Sequence, residues 1–332
     1  MNRLPFGVTK NGEMVERITL SNDQLTLSFL TLGAVLQDVR LAGVPYPLTP
    51  GSDRVEAYLG PLASYGAMMG PVVNRIRNAQ VTIGAQRYRL EKNLPGQHCL
   101  HSGSSGTQSR VFDVTHCGPD RLDLTVELPD GACGLPGNRR ITVSYRLSHR
   151  RLSIEVTGET DAPTLMNLSN HSYWNLDGSP TYAGHKLTIA AKSYLPTDKD
   201  LIPTGQVRDV TATEFDFRES RVLTASADSF YDHNFCLARA RGPLRPVAKL
   251  TGQSGVMLTV ETTEPGLQFY DGAKMNSGAF TGHSGAPYGP YQALALETQA
   301  WPDAPANPTF PPINLNPGQQ YRALTRYEFG HN

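Results

Sequence analysis

An alternation of apolar and polar residues recurs from one end of the chain to the other. It is seen in residues 25–29, 122–128, 141–147, 152–156, 256–260 and 325–329. Residues two apart point to the same side of a β-strand, so each segment predicts a strand with one buried face and one wet face. No long window has the spacing of an amphipathic helix, and half-buried strands are typical of antiparallel sheets. The sequence therefore predicts an all-β fold, a large antiparallel β-sandwich.

Two further segments refine this prediction. Residues 81–83 and 88–90 flank Gly84-Ala85, a spacing that predicts a hairpin. Residues 165–168 are almost wholly apolar, which predicts a more fully buried strand. His171 would then lie at or near the end of a strand.

Composition excludes several classes of protein. The chain has 332 residues, with 30 Lys and Arg against 30 Asp and Glu, so its formal net charge gives no case for binding nucleic acid or an anionic membrane. No apolar run approaches the ~20 residues needed to span a bilayer, and the first residues lack the apolar segment of a signal peptide. No Pro- or Ser-rich linker divides the chain, so we predict one domain, residues 1–332.

The four cysteines are scattered at positions 99, 117, 133 and 236, and none forms a CxxC pair. A zinc site or a disulfide framework is therefore not expected, and reduced thiols in a cytoplasmic protein are the simplest interpretation.

The most chemically dense stretch is residues 167–176, which combine asparagines, aromatic side chains and a single imidazole, His171. An imidazole titrates near physiological pH, so His171 is a candidate proton donor or acceptor. The alternative is a core histidine whose ring is hydrogen-bonded by Asn167 or Asn170, and a lone histidine does not decide between the two.

Other polar residues are candidates for ligand binding. Arg75 could fork onto two neighbouring hydroxyls of a polyol, or it could be a surface arginine. His98 and His101 are three apart, which in a strand puts them on opposite faces; they make a poor metal pair, and one could face a ligand while the other faces solvent.

Two more candidates lie further along the chain. Asp232 could accept hydrogen bonds from sugar hydroxyls, or it could be a turn aspartate. Gln268, beside Phe269 and Tyr270, suits a sugar with a polar rim and an apolar face; equally, the segment could be a turn and an edge strand.

Glu297 follows Ala293 and Ala295 on one predicted strand face, so small side chains leave space beside its carboxylate. Burial there would raise the pKa of Glu297 toward a value useful for a base. Taken alone, this segment favours the alternative, an edge-strand glutamate facing solvent.

In order along the chain, these segments resemble the aldose 1-epimerases, also called galactose mutarotases. The resemblance covers nearly the whole chain, and its motifs are Asn74-Arg75-Ile76, Leu100-His101-Ser102-Gly103, Asn170-His171-Ser172-Tyr173, Ile202-Pro203-Thr204-Gly205, Asp232-His233-Asn234-Phe235, Pro265-Gly266-Leu267-Gln268-Phe269-Tyr270 and Leu296-Glu297-Thr298-Gln299. Any one of them is weak evidence, but the ordered series is specific.

The resemblance implies a galactose mutarotase-like supersandwich and an isomerase that interconverts the α and β anomers of free aldoses. It implies that Glu297 is the general base and His171 the general acid. By the same resemblance, the sugar is held by Asn74, Arg75, His101, Asp232 and Gln268. No metal and no cofactor is expected. The only expected partner is a monosaccharide, with the chain as a monomer or homodimer.

The chain departs from the family pattern in two places. Gly70-Pro71 stands where the family usually has Gly-Arg, and residues 106–112 replace the usual Gly-Phe-Asp-to-Trp run. Both departures lie near sugar-holding residues, so they bear on substrate preference. The alternatives are an epimerase of a hexose phosphate and a non-catalytic sugar-binding or sensor protein on the same fold.

Overall fold

The alternating segments form strands at the predicted places. The computed structural model describes residues 2–94 and 96–331. Numbered along the chain, its strands are β1 (Asn2–Val8), β2 (Met14–Ser21), β3 (Leu25–Leu30), β4 (Val35–Leu41), β5 (Met68–Met69), β6 (Arg75–Ile76), β7 (Gln80–Ile83), β8 (Gln86–Arg89), β9 (Cys99–Leu100), β10 (Asp113–Cys117), β11 (Arg121–Leu128), β12 (Arg139–Ser148), β13 (Arg151–Thr160), β14 (Thr164–Leu165), β15 (Ser169–Asn170), β16 (Tyr173–Trp174), β17 (Lys186–Ile189), β18 (Ser193–Tyr194), β19 (Arg208–Asp209), β20 (Arg221–Val222), β21 (Asp232–Cys236), β22 (Arg245–Thr251), β23 (Val256–Thr262), β24 (Gly266–Tyr270), β25 (Leu294–Gln299), β26 (Asn314–Leu315) and β27 (Tyr321–His331).

Helical structure is confined to short pieces. The described residues contain one short helix, α1 (Val55–Tyr58), and single 3₁₀ turns at Arg77–Ala79, Gly103–Ser105, Thr107–Ser109, Ala132–Gly134 and Ala304–Ala306. In the same part of the chain, no helix combines the length and apolar character that a membrane span requires. The predicted all-β class is confirmed.

Three sheets make up most of the molecule. Strands β1 to β4 form a four-stranded sheet in sequence order, a nine-stranded sheet has the order β10-β11-β12-β13-β27-β23-β22-β17-β20, and a six-stranded sheet has the order β16-β25-β24-β21-β18-β19. Their strand pairs are antiparallel, as the one-sided burial pattern predicted. The hairpin predicted around Gly84-Ala85 is β7 paired with β8.

Aromatic side chains join the sheets face to face. Trp174 on β16 packs edge-on against Tyr327 on β27, with ring centroids 5.0 Å apart, which joins the six-stranded sheet to the nine-stranded one. Phe29 on β3 and Tyr145 on β12 lie 4.3 Å apart and join the four-stranded sheet to the same partner. All four side chains are buried in one hydrophobic cluster. The predicted β-sandwich is therefore confirmed.

The six-stranded sheet has one apolar face and one polar face. On β24, Leu267 and Phe269 point into the hydrophobic cluster, so Gln268 between them points away from it. On β25, Leu294 and Leu296 do the same, which turns Glu297 to the polar face. Gln268 and Glu297 are register partners across the two strands, so the sheet sets these polar side chains side by side.

The segment before His171 differs from the prediction. Residues 165–168 are buried, as expected, but the continuous strand is wrong because only the short β14 and β15 form. The Met166 N–H donates to the Ile313 carbonyl and the Asn167 N–H to the Pro71 carbonyl, at 2.8 and 2.7 Å. These partners lie on different parts of the chain, so no single neighbouring strand pairs with the segment. His171 follows β15 directly, as predicted.

Candidate active site

A cavity of about 380 Å³ lies over the polar face of the six-stranded sheet. Its volume is in the usual range for small-molecule sites. Six of the predicted site residues are on its wall: Asn74, Arg75, His101, His171, Asp232 and Glu297. The seventh, Gln268, lines a much smaller cavity beside it and contacts Asp232. The fold thus brings together side chains that are more than 200 residues apart in sequence.

Glu297 is buried at the centre of the polar face. Its strand, β25, lies between β16 and β24, and the residue is 2% exposed, so the alternative of a solvent-facing edge-strand glutamate is wrong. Burial raises the pKa of Glu297 well above its ordinary value, and the negative charge of Asp232 adds to the increase. One of its carboxylate oxygens, Oε2, has no hydrogen-bond partner among the described residues. Because Glu297 lies on the cavity wall, its carboxyl group is positioned to exchange a proton with a bound molecule.

His171 is held by its backbone while its ring faces the cavity. Its N–H donates to the Ala67 carbonyl at 2.9 Å, and its own carbonyl accepts from Gly66 at 3.0 Å. The alternative of a ring hydrogen-bonded by Asn167 or Asn170 is wrong, because the side chains of both asparagines bond to backbone groups. Nδ1 of His171 has no hydrogen-bond partner in the described chain. Acid–base chemistry requires a group that is held rigidly by its backbone and whose ring is not already hydrogen-bonded by a neighbouring side chain.

The two ionisable groups lie side by side. Nε2 of His171 lies 3.6 Å from Oε1 of Glu297. Burial lowers the pKa of His171 to about 4, while it raises that of Glu297. Both shifts favour the neutral forms, so the pair holds one proton over a wide pH range.

His101 and Asn74 are joined by two reciprocal hydrogen bonds. The His101 N–H donates to the Asn74 carbonyl at 2.9 Å, and the Asn74 N–H donates to Nδ1 of His101 at 3.2 Å. Burial, together with the charges of His171 and Arg75, lowers the pKa of His101 well below its ordinary value. In the resulting neutral ring Nδ1 is an acceptor, so Nε2 carries the hydrogen. His101 therefore acts as a hydrogen-bond donor through Nε2.

His98, the other histidine considered with His101, differs from the expectation. His98 is 4% exposed and its Nδ1 accepts the Asn78 N–H at 3.0 Å. The expectation that it could face solvent is wrong, because it closes the turn that follows β6.

A row of polar side chains forms another part of the site. Nη2 of Arg75 donates to one oxygen of Asp232 at 2.8 Å, and Nε2 of Gln268 donates to the other at 2.6 Å. Arg75 is buried, Asp232 lies on β21, and β24 is an interior strand, so the alternatives of a surface arginine, a turn aspartate and an edge strand are all wrong. Each carboxylate oxygen keeps a second lone pair for a ligand.

The cavity wall also contains residues outside the predicted site set, among them Gln108, Tyr173, Phe230, Tyr270 and Lys274; of these, Tyr270 is noted above as an aromatic neighbour of Gln268. A signal existed for two of them. Tyr173 belongs to the same short motif as His171, and Tyr270 is two residues from Gln268, so it shares the polar face of β24. Gln108, Phe230 and Lys274 lie on connecting segments whose direction no periodicity reveals.

The described residues, 2–94 and 96–331, contain no cluster of three or more His, Cys, Asp and Glu side chains arranged as metal ligands. What they do bring together is a carboxyl group and an imidazole in contact, with further hydrogen-bonding groups around them. Such a site can take a proton from one atom of a bound molecule and give a proton to another.

Comparison with known proteins agrees with this chemistry. A family model described as aldose 1-epimerase matches residues 16–328. The galactose mutarotase of Mus musculus is 36% identical over 99% of this chain and 98% of its own. The aldose 1-epimerase of Escherichia coli K12 is 33% identical over 99% of both chains.

A solved structure supports the same relationship. The crystal structure of an aldose epimerase homologue from C. elegans superposes with a TM-score of 0.88 at 30% identity, covering 95% of this chain and 98% of that one. The family model and these relatives span nearly the whole sequence, and the C. elegans structure shares the fold described above. The chain therefore belongs to the aldose 1-epimerase family of isomerases.

Proposed function

We propose that this protein interconverts the α and β anomers of free aldoses of the galactose or glucose type. The observation that carries the proposal is the buried contact between His171 and Glu297, 3.6 Å apart on the wall of a sugar-sized cavity. One acid and one base are what ring opening needs, because a proton must leave the anomeric hydroxyl as another reaches the ring oxygen.

In the first half of the reaction, Glu297 removes the proton from the anomeric hydroxyl and His171 donates a proton to the ring oxygen. The bond between C1 and the ring oxygen breaks, its electron pair stays on that oxygen, and C1 becomes an aldehyde. The reactive state of the pair is thus ionised Glu297 with protonated His171. The neutral pair and the ionised pair each hold one titratable proton. The bound sugar therefore has only to favour transfer of that proton from Glu297 to His171.

In the second half, the aldehyde rotates about its bond to C2 and presents its other face. The hydroxyl that was the ring oxygen attacks C1 and returns its proton to His171, while Glu297 returns a proton to the new anomeric hydroxyl. Each group ends as it began, so the reaction consumes no co-reactant. The configuration at C1 is inverted.

The remaining residues hold the sugar. Nε2–H of His101 donates to a sugar oxygen, and the row of Arg75, Asp232 and Gln268 binds neighbouring hydroxyls. Asn74 keeps His101 in place. The rings of Tyr173 and Tyr270, 6.2 Å apart, offer an apolar surface to the C–H face of the sugar.

Two alternatives are less well supported. Relatives of high coverage carry the names galactose mutarotase and aldose 1-epimerase, which favours a free sugar over a hexose phosphate. A sugar sensor would need the hydrogen-bonding row, but it has no use for a desolvated acid–base pair.

We also propose a single domain over residues 1–332, supported by one buried cluster that draws on residues 18 to 329. A cytoplasmic monomer or homodimer completes the proposal.

Polarimetry tests the proposed activity directly. Freshly dissolved α-D-galactose, α-D-glucose and a pentose should each lose optical rotation faster with the protein than without it, and the ranking of the three rates measures preference. Folded protein that accelerates none of these sugars would rule out the free-aldose assignment.

Replacing the base should remove turnover while leaving the structure intact. Glu297→Gln is nearly isosteric but cannot accept the proton, so we expect kcat to fall by about 10²–10⁴-fold. Far-UV circular dichroism should be unchanged, because the carboxyl group is held close to its neutral form by burial. A variant with nearly normal kcat would disprove the assignment of Glu297 as the base.

Arg75→Lys tests the sugar-holding row without leaving Asp232 unpaired. Lysine keeps the positive charge but loses the planar fork, so we expect KM to rise by about tenfold or more with a smaller change in kcat. The control is Arg151→Lys, which changes an arginine paired with Glu328 on the surface, 3.0 Å away. If both variants keep the KM of the parent protein, Arg75 does not bind the sugar.

The shifted pKa values predict which group controls each limb of the pH profile. The low pKa of His171, about 4, gives the acid limb of kcat/KM, where the pair takes up a second proton. The raised pKa of Glu297 gives the basic limb, where the pair loses its only proton and can no longer open the ring. With ordinary pKa values, Glu297 would give the acid limb and His171 the basic limb.

Temperature distinguishes the two assignments, because ionisation of a carboxyl group has a much smaller enthalpy than that of an imidazole. The basic limb should therefore move little with temperature, after the uncatalysed rate has been subtracted at each pH. A basic limb with the strong temperature dependence of an imidazole would contradict the assignment.

A further inference from the structure

The turn that carries His101 has a conformation that must be held by its surroundings. Its three residues His101, Ser102 and Gly103 are all left-handed, with φ of 52°, 61° and 74°. This conformation costs a non-glycine residue about 1–2 kcal/mol, so it persists only where neighbouring groups impose it. The direction of the His101 ring therefore depends on whatever fixes this turn.

Two side chains bond to the turn or anchor it. Oγ of Ser102 contacts both the N–H and the carbonyl of Val72, each at 2.9 Å. Nε2 of Gln108 donates to the carbonyl of Gly103 at 2.9 Å and to that of His101 at 3.3 Å. A single amide group thus uses its two hydrogens on two carbonyls of the same left-handed turn.

Only the NH₂ group of the Gln108 amide makes hydrogen bonds to the described residues. Its Oε1 is buried and has no hydrogen-bond partner among the described residues. A Cβ on Gly106 would lie 2.3 Å from Oε1 and 2.8 Å from the His101 carbonyl, so the absence of a side chain there lets the amide reach the turn. Gln108 also lies on the cavity wall, within the run that departs from the family pattern.

We propose that Gln108 is a positioning residue for His101. By holding the carbonyls of the turn, it keeps Nδ1 of His101 on the Asn74 N–H and thereby aims Nε2–H into the cavity. The role in catalysis rests on the proposed function, because it requires that His101 donates to the sugar. The structural part, the direction and tautomer of the ring, does not depend on the reaction.

The test is Gln108→Glu, which keeps the length of the side chain and replaces the donor by an oxygen. Two carboxylate oxygens then face two carbonyl oxygens, so the turn shifts and kcat/KM should fall by about tenfold or more, chiefly through KM. Below the pKa of the new carboxyl group, its O–H can donate again, so the loss should shrink as the pH falls. The control is Gln253→Glu, since Nε2 of Gln253 also donates to a backbone carbonyl, that of Ala183 at 2.9 Å, but on the surface.

The second measurement is ¹⁵N NMR of the His101 ring in the sugar-free protein. The parent and Gln253→Glu should show a neutral ring protonated at Nε2, and Gln108→Glu should show a changed tautomer ratio or pKa. Gln108→Met, which lacks both donor and charge, replaces Gln108→Glu if that variant does not fold. Unchanged ring signals and unchanged KM in the variant that folds would overturn the proposal.

The same experiments separate this inference from the proposed function. If the parent protein does not accelerate mutarotation, the proposed function fails, and the NMR measurement still decides whether Gln108 positions the ring. If the parent is active and His101→Asn raises KM while Gln108→Glu does not, only the role of Gln108 is wrong.

Discussion

The removal of Glu297 and His171 from water is the constraint on which the rest of the site depends. Burial disfavours the charged form of each group, so it lowers the pKa of His171 and raises the pKa of Glu297. Placed 3.6 Å apart, they can exchange a proton without a net change in buried charge. The site therefore accommodates two buried ionisable groups because the neutral pair holds one proton between them.

That burial is a property of the sandwich. Glu297 can be buried because β25 pairs with β16 on one side and β24 on the other, while Leu294 and Leu296 pack into the same cluster as Trp174 and Tyr327. The apolar face of the sheet thus fixes the position of the polar one. In a strand the two faces cannot move independently, so the core that stabilises the fold also orients the carboxyl group.

The sequence predicted those features that depend on local alternation. The strands, their antiparallel pairing and the shared face of Ala295 and Glu297 all follow from period two, and the motif series selected the site residues. Whether Glu297 faces solvent or a buried site could not be predicted, since it depends on pairing between β24 and β25, which are separated by a long connection. The same holds for Arg75 and Asp232, whose contact spans 157 positions of sequence.

What the sequence could not predict is the non-repetitive structure around His101. Its left-handed turn has no periodic signal, and asparagine and histidine adopt this conformation more often than most residues without any pattern that marks where they do so. Here Asn74, itself left-handed at φ 67°, donates to the ring and accepts from the backbone of the same residue. Two costly conformations therefore stabilise each other, and the ring that they hold is neutral, with a donor of fixed direction. Sheet alternation orients Gln268 and Glu297, whereas the irregular backbone that follows β9 and β15 orients His101 and His171, so the site depends on both kinds of structure.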